Sequence, residues 1–117
     1  MGNLQGYYAE CRKILCQTAN RRQPITYGGL AKALGLRSPR QQWNTVLNSI
    51  CIDEKKKTGK DLTLVVVYAS GPAKGLSRYF SNGAPQTNML DPRNDQQVKA
   101  YKQELERIFD TYAKLPC

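Results

Sequence analysis

Residues 24–52 carry the pattern that most constrains the fold of this chain. A short apolar run ends at Gly35, a residue suited to the left-handed position that closes a helix. The run that follows is amphipathic, and its apolar residues recur at spacings of three and four. They are Trp43, Val46, Leu47, Ile50 and Cys51. This spacing places them on one face of a helix, so the sequence predicts a helix, a tight turn and a second helix.

Capping residues predict where these two helices begin. Thr26 can cap the first, which should run to Leu34, and Ser38 with Pro39 is typical of the start of the second. Gly28 and Gly29 are poor helix formers in the first turns. They indicate either a close approach to another helix or to the backbone of a ligand, or a frayed first turn.

The polar face of the second helix has an unusual composition. A solvated helix face often carries Glu and Lys, and neither occurs from Arg40 to Ile52. Arg pairs with guanine and Asn or Gln with adenine in a DNA groove, so we interpret this face as a recognition surface. The alternative is an ordinary polar face. Its residues are Arg40, Gln41, Asn44, Thr45 and Asn48.

Net charge points in the same direction. The chain of 117 residues has 18 Lys and Arg against nine Asp and Glu, a formal charge of +9. Such an excess favours a polyanionic partner and predicts binding that weakens with salt. The alternative is a protein that is basic without such a partner. Net charge affects association and does not determine the fold.

The middle of the chain predicts a hairpin. Residues 53–61 resemble a polar linker, and 62–68 form an apolar, β-branched run typical of a strand. A Gly-rich turn and a second strand over 76–80 would complete a wing beside the recognition helix. Basic residues of the linker and the wing would contact phosphates. They are Lys55, Lys56, Lys57, Lys60, Lys74 and Arg78.

Helices are expected at both ends of the chain. The first should span about Leu4 to Ala19. The last should span about 92–114, after an irregular loop over 81–94, and it starts at either Asp91-Pro92 or Asn94-Asp95. Its apolar stripe consists of Val98, Tyr101, Leu105, Ile108, Phe109 and Tyr112. The last helix either completes the core or pairs with its copy in a dimer. We therefore predict one mainly helical α+β domain over 1–117, a winged helix-turn-helix with its core at about 4–80, as a monomer or homodimer.

Cysteine and histidine usage limits the chemistry. The chain has no His, which excludes Ser-His-Asp and Cys-His catalysis and histidine metal sites. Its cysteines are Cys11, Cys16, Cys51 and Cys117. Without a CxxC pair or a secretory signal we expect no metal, no cofactor and no disulfide framework. Cys11 and Cys51 should be core residues and Cys117 an exposed terminal one.

With no transmembrane run, a cytoplasmic protein without a membrane partner is expected.

The stretch Ile25-Thr26-Tyr27-Gly28-x-Leu30-Ala31-x-x-Leu34-Gly35 resembles the opening of the winged-helix domain of alkylguanine-DNA alkyltransferases and alkyltransferase-like proteins. The resemblance covers about residues 24–76. It implies a second helix that enters the minor groove, followed by a strand and a Gly-rich wing, with Tyr27 helping to turn a nucleotide out. The family's Pro-Cys-His-Arg active-site motif is absent, so alkyl transfer is not expected. The scaffold is also similar to small DNA-binding proteins of bacteria and phages.

Three functions remain open at this point. The leading one is a small non-enzymatic DNA-binding protein with a regulatory role, which binds duplex DNA through Tyr27, the polar helix face and the basic residues named above. The second is a protein-interaction module that grips an acidic protein. The third is a His-free ribonuclease-type toxin. Its candidate residues are Tyr68, Lys74, Arg78 and Tyr79.

Overall fold

Four α-helices dominate the computed structural model, which describes residues 5–38, 42–77, 79–80 and 88–117. They are α1 (Tyr8–Asn20), α2 (Tyr27–Ala33), α3 (Trp43–Thr58) and α4 (Asp95–Tyr112). Single 3-10 turns lie at Gln5–Tyr7 and Leu62–Val65. The strands are β1 (Ile25–Thr26), β2 (Val66–Val67), β3 (Tyr79–Phe80) and β4 (Asn88–Met89). The predicted mixed α+β, mainly helical class is confirmed.

The strands pair differently from the predicted hairpin. β1 lies parallel to β2, with Ile25 opposite Val66, whereas β3 lies antiparallel to β4. The prediction of one strand over 62–68 paired with 76–80 was therefore wrong. The side chains of Leu62, Leu64 and the three valines that follow are all buried. A short run of buried apolar residues has the composition of a strand even when its backbone is not extended. Here residues 62–65 of that run form a 3-10 turn.

The start of α2 follows its sequence signals. The hydroxyl of Thr26 accepts a hydrogen bond from the Gly29 N–H at 2.9 Å, and Gly35 adopts a positive φ of 76° after the helix ends. A Cβ at Gly29 would lie 3.2 Å from both Ile25 Cγ1 and Thr26 Oγ1. The close neighbours of Gly29 are thus the side chains of Ile25 and of the cap Thr26, and not another helix.

Helix α3 starts later and ends later than predicted. It begins at Trp43, with Gln42 as its N-cap, so Ser38 lies outside it, and Pro39 is outside the described residues. The connection from α2 is accordingly longer than a tight turn. The helix then continues through the predicted linker to Thr58, because lysines are good helix formers and favour the last turn. Gly59, at a φ of 78°, ends it.

Helix α4 packs against α1 and the 3-10 turn at 62–65. The side chain of Asn94 caps it by accepting the Gln97 N–H at 3.1 Å. Of its predicted apolar stripe, Tyr101, Ile108, Phe109 and Tyr112 are buried and the other two residues are half-buried. The hydroxyl of Tyr101 donates to the Leu64 carbonyl at 2.7 Å. This helix thus completes the core, one of the two roles predicted for it.

A disulfide joins Cys16 of α1 to Cys117, which corrects the expectation that the cysteines would stay unpaired. Their Cα atoms are 5.7 Å apart, across a sequence separation of 101 residues. Nearby, the Asn20 amide donates to the carbonyl of Tyr112 at 3.0 Å. Both contacts fasten the end of α4 to α1. Cys11 is buried, as predicted, whereas Cys51, also predicted to be a core residue, is only half-buried.

Candidate nucleic-acid interface

Helix α3 presents one continuous exposed face. Because an α-helix turns about 100° per residue, residues 44, 48, 52 and 55 fall on one side, with 45 and 56 beside them. All six side chains are exposed, whereas Trp43, Val46, Ile50 and Glu54 are buried opposite them. We call this surface the α3 face, and it extends over about 18 Å. It consists of Asn44, Thr45, Asn48, Ile52, Lys55 and Lys56.

The polar side chains of the α3 face are available for an external partner. Neither Asn44 nor Asn48 makes a side-chain hydrogen bond to another residue that the structure describes. Lys55 and Lys56 take part in none of the ion pairs found within the described ranges. The face therefore offers two amides and two ammonium groups.

An aromatic cluster fixes the start of α3 against α2. The ring centroid of half-buried Tyr27 lies 6.1 Å from that of Trp43 and 5.8 Å from that of Tyr68. Edge and tilted ring contacts of this kind contribute about 0.5–1.5 kcal/mol beyond burial. Tyr27, predicted to contact nucleic acid, thus contacts the residue that begins the α3 helix.

The other predicted contact residues are scattered. Lys57 is exposed but lies around the helix from Lys55 and Lys56, and the ammonium of Lys60 is 3.7 Å from the Glu104 carboxylate. Lys74 is exposed in a loop that Tyr68 closes: the Tyr68 N–H donates to the Leu76 carbonyl at 3.1 Å, and the Tyr68 carbonyl accepts the Gly75 N–H at 2.9 Å. Three predicted residues lie outside the described residues. They are Arg40, Gln41 and Arg78.

Charge is distributed unevenly along the chain, a signal that the total alone conceals. Residues 11–52 hold seven Lys or Arg and no acidic residue, and residues 62–90 hold two and none. Residues 91–117, which include α4, hold five basic and five acidic residues. The net positive charge therefore belongs to residues 1–90, which include α1, α2 and α3, and not to the segment that carries α4.

Sequence reasoning missed a buried charge at Glu54. Its side chain is 0% exposed and accepts hydrogen bonds from Arg12 (Nε at 3.2 Å, Nη2 at 3.3 Å) and from the Tyr112 hydroxyl at 2.6 Å. Burial raises the pKa of Glu54, but the bonds from Arg12 and Tyr112 outweigh it and hold the pKa below its ordinary value. Glu54 follows Ile50 by four residues and therefore lies on the apolar side of α3. This position in the sequence could have predicted that Glu54 is buried. The cluster joins α3 to α1 and α4.

A shallow concavity of about 380 Å³ borders the α3 face, lined by Tyr8, Ser49, Ile52 and Asp53. The Tyr8 hydroxyl donates a short hydrogen bond to the Asp53 carboxylate. Burial, reinforced by this bond, raises the pKa of Tyr8 to about 12. Asp53 thereby lies on the α1 side of α3, outside the α3 face.

The residues weighed for the toxin hypothesis are only partly described. Tyr68 and Lys74 lie together at the 68–76 loop, Arg78 is outside the described residues, and Tyr79 is described only as a member of β3. Among the described residues, no group of three or more His, Cys, Asp or Glu side chains could hold a metal ion.

Comparisons with known proteins add no further assignment. The chain matches no protein-family model, no curated protein sequence and no solved structure. Of the helices that the structure describes, none combines the length and the apolar character needed to cross a membrane.

Proposed function

We propose that this protein binds duplex DNA without catalysis, with the α3 face as its reading surface, and acts as a small regulatory protein of bacterial or phage origin. One observation carries the proposal. The α3 face combines two unengaged amides, a hydroxyl and two lysines, and no carboxylate belongs to it. The face also lies in the part of the chain that holds the excess positive charge.

Each group on the α3 face has a matching group on DNA. The amides of Asn44 and Asn48 can bond base edges, and Lys55 and Lys56 can reach phosphates at the rim of a groove. Lys74, on the loop that Tyr68 closes, would contact the backbone as a wing does in a winged helix. The resemblance of residues 25–35 to alkyltransferase winged-helix domains supports the same class of ligand.

Fluorescence anisotropy with random duplex DNA, duplex RNA and single strands, at two salt concentrations, tests the proposal. We expect duplex DNA to bind most tightly, with log K falling steeply against log salt. Replacing Lys55 and Lys56 together by Ala should weaken binding and reduce the slope by about 0.9 for each phosphate that is no longer neutralised.

The control removes the same charge elsewhere. Lys99 and Lys102 are exposed on α4, in the segment of balanced charge, and their double Ala variant should bind nearly as the wild type does. Equal reductions in affinity in both double variants would mean that net charge alone, and not the α3 face, binds DNA. Absence of binding at low salt would overturn the proposal.

An acidic protein partner is the second candidate, and Ile52 is the observation that favours it. This side chain is 54% exposed amid the polar groups of the α3 face, an arrangement that also suits protein interfaces. Ala at both Asn44 and Asn48 separates the two functions. Loss of DNA binding would support the first candidate, and loss of an acidic protein partner, with DNA binding intact, the second.

The proposal places the protein in the cytoplasm, where duplex DNA is found. Cytosolic reductants keep most thiols reduced, so the Cys16–Cys117 pair would there exist largely as two thiols. Oxidised and reduced protein should therefore both be tested for DNA binding.

A further inference from the structure

The exposed residues at steps of four along α3 form an ordered series: amide, amide, branched alkyl. Asn44, Asn48 and Ile52 are each separated by about 6 Å along the helix and about 40° around it. The series spans about 12 Å, which corresponds to three or four base pairs at about 3.4 Å each. A single exposed isoleucine on a protein surface needs no explanation. Ile52, however, lies in line with two amides that make no hydrogen bond to the described residues.

From this series we infer that α3 reads A·T base pairs in the major groove, with Ile52 against a thymine methyl group and Asn44 and Asn48 on adenine. The inference rests on the proposed function and deepens it, because it names the groove and the base pair. It also differs from the minor-groove entry that the family resemblance implies.

Only the major groove of an A·T pair matches all three side chains. There adenine presents an acceptor at N7 and a donor at N6, which one Asn amide can bond together, and thymine presents its C5 methyl. The minor-groove edge has no methyl group and no adenine donor. Guanine is usually read by Arg or Lys and cytosine by an acid, and the series contains none of these.

The surroundings of Ile52 allow this approach. Lys55 and Lys56 follow it by one turn on the same face, so their longer side chains lie where the groove wall brings phosphates. Asp53, which would repel phosphates, is displaced by about 100° around the helix and accepts the Tyr8 hydroxyl. Tyr8 and Ser49, which line the concavity beside Ile52, carry no charge that opposes DNA.

Base analogues test the inference with the intact protein. Four duplexes of equal length are compared by anisotropy: an A·T duplex, the same duplex with uracil for thymine, the same with 7-deazaadenine for adenine, and a G·C duplex. Uracil lacks the C5 methyl, so affinity should fall about fourfold, the effect of one buried methyl group. Deazaadenine removes N7 and should weaken binding at least as much.

The variant Ile52→Ala completes a double-mutant cycle. Its side chain is exposed, so the fold should persist, which a thermal melt checks. The variant should bind the thymine and uracil duplexes equally, because the group that senses the methyl is gone. Ala at Ser49, on the adjacent concavity, should keep the fourfold difference.

The outcomes separate the inference from the proposed function. Equal wild-type affinity for thymine and uracil duplexes, or displacement of the protein by the minor-groove ligand netropsin, would overturn the inference while DNA binding stands. Binding to none of the duplexes would overturn both. An unchanged uracil effect in Ile52→Ala would assign the methyl contact to another residue and contradict the role given to Ile52.

Discussion

At the scale of single residues, Glu54 is the most consequential side chain outside the α3 face. It holds a charge in the core and contacts α1 through Arg12 and α4 through Tyr112. A buried ion pair stabilises little relative to an apolar pair of the same shape, but breaking one leaves a charge without its partner. The orientation of α3 therefore depends on this carboxylate.

Replacing Glu54 by Gln should reduce the free energy of unfolding by about 2 kcal/mol, measured by urea denaturation. The effect falls below the roughly 3–5 kcal/mol typical of a broken buried pair because the side chain of Arg12 is 28% exposed and can reach water. Glu10→Gln makes the same chemical change at an exposed position of α1 and should alter stability little. Equal effects of the two variants would contradict a structural role for Glu54.

The same carboxylate predicts an acid dependence. Its pKa in the folded protein is lowered from an ordinary 4.5, so its stabilisation is complete above that pH. It is lost as the pH falls through the folded value, where the native carboxylate takes up its proton. Urea midpoints between about pH 6 and pH 3 should therefore show the difference between wild type and Glu54→Gln narrowing with acid. A constant difference would contradict this linkage.

At the scale of secondary-structure elements, capping residues predicted where α2 and α4 begin. Thr26 caps α2 as predicted, and Asn94 caps α4 at one of the two starts that the sequence allowed. Helix α3 begins at Trp43, which packs against Tyr27, and not at the predicted Ser38-Pro39. That contact joins two helices, and a single sequence does not show which helices meet.

The two glycines of α2 give a matched pair of variants. A Cβ at Gly28 would meet only Thr26 Oγ1, at 4.0 Å, so Gly28→Ala should raise the free energy of unfolding by up to about 1 kcal/mol. Gly29→Ala should gain less or lose stability, because its Cβ would lie 3.2 Å from Ile25 and from the capping hydroxyl. Thermal denaturation of both variants checks the order, and Gly29→Ala as the more stable one would refute the packing argument.

At the scale of the whole molecule, the contacts that close the structure join distant parts of the chain. Cys16 meets Cys117, and Arg22 binds Glu106 and Asp110 at 2.8 Å or less. The spacing of apolar residues predicted the helices but not which of them pack against each other. That is why the apolar faces were predictable and the disulfide and the Glu54 cluster were not.

Opening the disulfide should destabilise the oxidised protein by about 2–4 kcal/mol, since it closes a loop of about a hundred residues in the unfolded chain. Cys117→Ser should show this loss in urea denaturation. A reducing agent should lower wild-type stability to that of the variant and leave the variant unchanged. Equal stability of oxidised wild type and variant would show that the bond contributes nothing.

The uneven charge along the chain has a consequence beyond contact itself. A molecule in which residues 91–117 carry no net charge, while residues 1–90 carry the whole net charge of +9, possesses an electric dipole moment as well as a net charge. In the field of any polyanion it experiences a torque that turns its basic side forward. At physiological salt this acts within roughly 8 Å of the surface. The protein therefore meets a polyanion with its basic side already facing it, and fewer encounters occur through the neutral side.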